Sequence, residues 1–165
     1  MPASFAQQRQ WLLWTLEPQS QAYHTPIVVQ LRGQLERTAL EQTFAALVAR
    51  HEAFRTRFSQ QQGTLYQIVD ADDPLIVRWE RLEQADSAQI QASVGAEIAT
   101  LFDLERGPLL RVKVLEVAAE HFILVVTLHH IISDGWSMGV LGREFAALYG
   151  AFQRQQPLSL SLIHI

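Results

Sequence analysis

The stretch FILVVTL at residues 122–128 leaves few folds open to this chain. A strand with one solvated face alternates apolar and polar side chains, whereas a continuously apolar run has to be covered on both faces. The run therefore predicts a central strand. It is also far shorter than the ~20 apolar residues that a helix needs to cross a bilayer, so a membrane is not an expected partner.

The flanking segments supply neighbours for that strand. Leu110, Val112 and Val114 alternate with Arg111, Lys113 and Leu115, the pattern of a half-buried strand. TPIVVQLRG at residues 25–33 is β-branched and bounded by Pro and Gly, and residues 75–79 read as another short strand. Residues 54–58 and 65–69 flank SQQQG, a polar connector ending in Gly that predicts a hairpin.

Helical spacing fills the intervals. Ser4 and Gln7 can form a capping box at the head of a helix over residues 4–16. Leu40, Phe44, Leu47 and Val48 recur on one helix face behind Glu36 and Glu41, where the helix dipole favours anions. Ile90, Val94, Ile98 and Leu101 mark a second face. Met138, Leu141, Phe145, Leu148 and Phe152 give the clearest amphipathic helix. With no repeat, low-complexity stretch or linker, the pattern is a single mixed α/β domain.

Composition removes several function classes. A chain of 165 residues can bury a core without disulfides or metal, and the absence of cysteine rules out a redox thiol or a Cys-based zinc site. A net charge of −4 without a basic block argues against nucleic acid, because neutralising phosphates needs clustered Lys and Arg. MPASFAQQRQ lacks the basic-then-apolar pattern of a signal peptide, which predicts a cytoplasmic protein.

Chemistry concentrates in LHHIISDGWS, residues 128–137. If the strand reaches His130, then His129 and His130 point in opposite directions, one toward a cleft and the other into the protein, where its ring nitrogens need partners. Asp134, near the start of the following helix, can cap free N–H groups or pair with an Arg, and Gly135 permits close approach to the backbone. A helix N-terminus stabilises an oxyanion and disfavours protonation of a nearby imidazole, whose unperturbed pKa is about 6.5. A neutral His130 could then accept a proton from an attacking amine or hydroxyl. Three other readings compete: a hydrogen-bonded structural histidine, an Asp-Gly hairpin turn, and a metal site. Helical spacing after Gly135 argues against the hairpin, and diverging histidines with no second ligand cluster argue against metal.

LHHIISDGWS resembles the HHxxxDG motif of condensation domains from nonribosomal peptide synthetases, a motif shared with related acyltransferases. SFAQQRQW at residues 4–11 resembles that family's SxAQxRxW pattern, and RHEAFRTRF at residues 50–58 its RHExLRTxF pattern. The sequence between them is similar too, so the resemblance covers nearly the whole chain. It implies the N-terminal lobe, residues 1–159, of a two-lobed chloramphenicol-acetyltransferase-like fold: a mixed β-sheet with packed helices and an active site in the tunnel between lobes. LSLIHI at residues 160–165 matches nothing in the family. It is expected to be a truncation or fusion scar outside the fold.

The implied reaction is amide formation. The amine of an acceptor aminoacyl thioester attacks a donor thioester, each held on a phosphopantetheine arm by a peptidyl carrier protein. No cofactor or metal is implied on the chain itself. The resemblance assigns His130 as the catalytic residue and leaves His129 and Asp134 structural, with Asp134 pairing to Arg50 or Arg55. Gly135 would bring a backbone N–H to the substrate carbonyl, Trp136 would pack, Ser137 would cap the helix, and Gln7 and Arg9 would support the cleft. ISDGWS resembles the subtype that joins two L-configured residues. An ester-forming acyltransferase of the same fold and a noncatalytic carrier-docking module are the alternatives. A lone lobe is expected to be inactive.

Overall fold

In the computed structural model, which describes residues 1–71, 75–133, 138–152 and 159–162, the apolar run forms the body of β6 (His121–His129). It is the middle strand of a sheet ordered β4 (Val77–Arg81), β5 (Leu110–Ala118), β6, β1 (His24–Arg32), β7 (Ser159–Leu162). β4 and β5 run parallel and the other pairs antiparallel, so the sheet is mixed. β6 is hydrogen-bonded to β1 along its length, from His24 opposite His129 to Arg32 opposite His121.

Both faces of β6 are covered, as a run apolar at successive positions requires. Leu124, Val126 and Leu128 enter the larger core with Leu31, with Leu40, Phe44 and Leu47 of α2 (Arg37–Arg50), and with Phe145 and Tyr149 of α4 (Met138–Phe152). Ile123 and Val125 face a smaller core with Val28, Leu115 and Val94, the last on α3 (Ser87–Ala99). Each fully buried aliphatic side chain contributes about 1.5–3 kcal/mol, which makes this strand the anchor of both cores. Leu115, placed among the polar positions by simple alternation, is fully buried because α3 covers that side of the sheet.

Helix α3 is tied to the sheet by charge as well as by hydrocarbon. Glu97 is only 4% exposed and pairs with Arg78 of β4 and Arg111 of β5. Arg111 also donates to the carbonyls of Glu97, Thr100 and Leu101, satisfying acceptors that a helix C-terminus leaves open. At the other end Asp86 and Gln89 form a capping box. Asp86→Ala should therefore lower stability by about 1 kcal/mol, seen as a fall in the urea midpoint at constant m-value.

The hairpin is present as β2 (Thr56–Gln61) and β3 (Thr64–Val69), a separate two-stranded sheet. Its turn residues Gln62 and Gly63 have φ of 51° and 82°, the left-handed pair that matches strand twist in a two-residue turn. Three boundaries differ from the sequence expectation. Phe54 and Arg55 lie in a 3-10 turn (Glu52–Arg55), so β2 starts only at Thr56. The fourth strand spans Val77–Arg81 rather than 75–79, in register with Val112 to Glu116 of β5. Residues 160–162 are not outside the fold: β7 pairs with β1 from Arg32 opposite Ser159 to Val29 opposite Leu162, so the expected boundary at residue 159 falls within a strand.

Helix α1 (Phe5–Leu16) starts with the expected Ser4–Gln7 capping box. Ala3 N–H donates to the Leu65 carbonyl and Trp14 Nε1 to the Phe102 carbonyl, which lays the helix beside the end of β6. Among the described residues no helix is long and apolar enough to cross a membrane.

Candidate active site

Strand β6 ends at His129, and the chain turns at once into a 3-10 turn, His130–Ile132. Backbone bonds fix the corner: His129 N–H donates to the Leu109 carbonyl at 3.0 Å and His130 N–H to the Tyr23 carbonyl at 2.8 Å. Ile131 and Ile132 are buried and pin the turn to the core.

The strand does not reach His130, so the 3-10 turn rather than strand alternation parts the two histidines. His129 is 4% exposed, its Nδ1 accepts the Ile131 N–H at 3.1 Å, and the rings of His24 and Phe102 meet it edge-on at 6.2 and 5.8 Å. Nδ1 is therefore unprotonated, and the proton of the neutral ring sits on Nε2. Burial, with the neighbouring His24 and His130 adding to it, pushes the His129 pKa down to about 4. That shift favours the uncharged form of the buried His129 ring at neutral pH.

His130 is exposed. Its Nδ1 lies 3.3 Å from Ser133 Oγ, and that hydroxyl donates its single proton to the His130 carbonyl at 3.0 Å. In the tautomer that carries its proton on Nδ1, this oxygen accepts from Nδ1–H and the lone pair of Nε2 can act as a base. His130 and Ile131 line a cleft of about 170 Å³ with Ala6, Gln7, Arg9 and Gln10 of α1. Gln7 Oε1 is engaged by the Ser4 N–H, whereas Arg9 is an exposed cation on the cleft wall.

The remaining cavities offer less chemistry. A space of about 400 Å³ between α2, α4 and the sheet has only apolar side chains and glycines on its walls, among them Ile27, Phe44, Leu124 and Phe145. A cleft of about 370 Å³ around Arg37 and Trp79 adjoins Phe122, near the opposite end of β6 from His130. Among the described residues no group of three His, Asp or Glu side chains could hold a metal ion.

Asp134, Gly135, Trp136 and Ser137 lie outside the described residues, and so does any pairing of Asp134. Arg50 is half exposed, with Nη1 3.6 Å from Glu144 Oε1, and the same carboxylate meets His51 Nε2 at 2.6 Å. Arg55 donates to the carbonyls of Val48, Ala49 and Asp70, clamping the end of α2 to the end of the hairpin. Sequence reasoning missed His24 and Gln10. His24 is opposite His129 in the β1–β6 register, and its Nδ1 lies 2.7 Å from the Ile98 carbonyl.

A family model described as Condensation domain matches residues 1–164. Chondramide synthase from Chondromyces crocatus is 39% identical over 98% of this chain, and malpibaldin synthetase from Mortierella alpina is 43% identical over 93% of it. The chain spans only 4% and 3% of the length of those two relatives. Among solved structures, the starter condensation domain of rhizomide synthetase superposes with a TM-score of 0.81 at 24% identity, over 90% of this chain and 37% of that one. The complex of the X-domain and OxyB from teicoplanin biosynthesis gives 0.82 at 30% identity, over 92% of this chain and 32% of that one.

Proposed function

The chain belongs to the condensation-domain family, and from that premise we propose that it forms the His130-bearing wall of a site that makes amide bonds between carrier-bound aminoacyl or peptidyl thioesters. The observation that carries this reading is the division of labour at the end of β6: His129 is buried and neutral, while His130 opens onto a cleft. Donor and acceptor arrive on phosphopantetheine arms of two peptidyl carrier proteins, in the cytoplasm. The acceptor nitrogen attacks the donor carbonyl carbon, a C–N bond forms and the C–S bond breaks. His130 Nε2 takes the proton that the amine loses and returns it to the departing thiolate, so the arm leaves as a thiol. Holding the two thioesters in line supplies the larger part of the acceleration.

A single wall cannot exclude water from such a reaction. The match to little more than a third of the rhizomide synthetase chain supports a second, C-terminal lobe that closes the site. The segment 1–165 alone is accordingly expected to show no turnover, and the domain completed by its second lobe to show it. The test supplies both carrier proteins loaded with aminoacyl thioesters and identifies the product. Dipeptidyl thioester is expected. An ester formed from a free alcohol would replace this reading with an ester-forming acyltransferase, and carrier binding without product would replace it with a docking module.

A further inference from the structure

Gln10 stands on α1, on the same cleft as His130. Its amide oxygen is shut off from solvent and meets no donor among the described residues. Its neighbours differ: Gln7 Oε1 accepts the Ser4 N–H, and Gln8 Nε2 donates to the Ala3 carbonyl. Buried carbonyls are seldom left without a donor, and a site that holds an unmet polar group favours the substrate that satisfies it. The terminal torsion of a Gln amide is soft, so the oxygen can turn toward a donor in the cleft.

We infer that Gln10 positions the acceptor amine and sets a preference for primary over secondary amines. This inference rests on the amide-forming reading above. A neutral primary amine has two N–H bonds and one lone pair. With one N–H accepted by His130 Nε2 and the other by the Gln10 carbonyl, rotation about the C–N bond is fixed and the lone pair is directed at the donor carbonyl. The exposed Arg9 guanidinium on the same wall disfavours a second cation, so the amine is held as the free base. A secondary amine, such as a prolyl acceptor, has one N–H when neutral. It cannot satisfy both groups and leaves Gln10 unmet.

The test compares alanyl and prolyl acceptors, each loaded on its carrier, in the complete two-lobed domain. Gln10→Leu, and Gln10→Met, which removes the amide while keeping the chain length, should lower kcat/KM for the alanyl acceptor about tenfold, the effect of one neutral hydrogen bond. The prolyl rate should be unchanged, so the preference between acceptors collapses. A purely structural role would lower both rates together, and that result, or an unchanged alanyl rate in both variants, overturns the inference. Absence of amide product from the unsubstituted domain with either acceptor overturns the amide-forming reading itself, a different failure read from a different protein.

Discussion

His130→Ala is expected to cut amide formation in the complete domain by about 10²–10⁴-fold, the usual contribution of a positioned general base, and to leave the unfolding midpoint nearly unchanged. In activation free energy the loss is about 3–5 kcal/mol. Both halves of the expectation come from the same geometry. The imidazole is exposed, and among the described residues its ring meets one hydrogen-bond partner, Ser133 Oγ. The corner itself is held by the His130 backbone N–H on Tyr23 and by buried Ile131 and Ile132, none of which alanine disturbs. Substitutions at such surface positions usually stay within about 0.5 kcal/mol of the parent. His129→Ala is the internal control. It removes a buried ring and the acceptor of the Ile131 N–H, so it should lower stability as well as rate. Turnover that survives His130→Ala would remove this residue from the chemistry. A large loss of stability in the same variant would make it structural.

The parts of this fold that were legible in the sequence are those where one local rule acts alone. The apolar run of β6, the Ser4–Gln7 capping box and the apolar stripe of α4 are each fixed by periodicity or by a cap. The parts that were not depend on what another element brings. Glu97 looks like a solvated helix residue until β4 and β5 deliver Arg78 and Arg111 to it. Residues 160–162 show no pattern that reads as family sequence by eye, yet the family model extends over them and the edge of β1 takes them as a strand. At the site, alternation predicted one inward and one outward histidine, but the strand stops at His129 and the 3-10 turn sets the direction of His130. Alternation could not reveal His24, which becomes the neighbour of His129 only through antiparallel register across some hundred residues of chain, or Gln10, whose place on the cleft depends on how α1 docks.

Acid should destabilise the chain through His129, and the sign follows from the direction of its shift. The ring ionises near pH 6.5 in the unfolded chain and at about 4 in the folded one. Between these values the unfolded state binds a proton that the native state refuses, so stability falls as pH drops, and the loss is complete near pH 4. Its size is about 3 kcal/mol. Urea unfolding of the chain and of His129→Gln, measured from pH 7 to 4.5, isolates this contribution, because carboxylate effects common to both cancel. The stability advantage of the parent over the variant should shrink steadily as pH falls, and a gap that stays constant would mean that the ring does not stay neutral in the fold. The same proton bears on function. Once charged, His129 Nδ1 becomes a donor facing the Ile131 N–H, and the bond that seats the 3-10 turn is lost. The turn carries His130, so amide formation in the complete domain should fail in acid before the cores of β6 come apart.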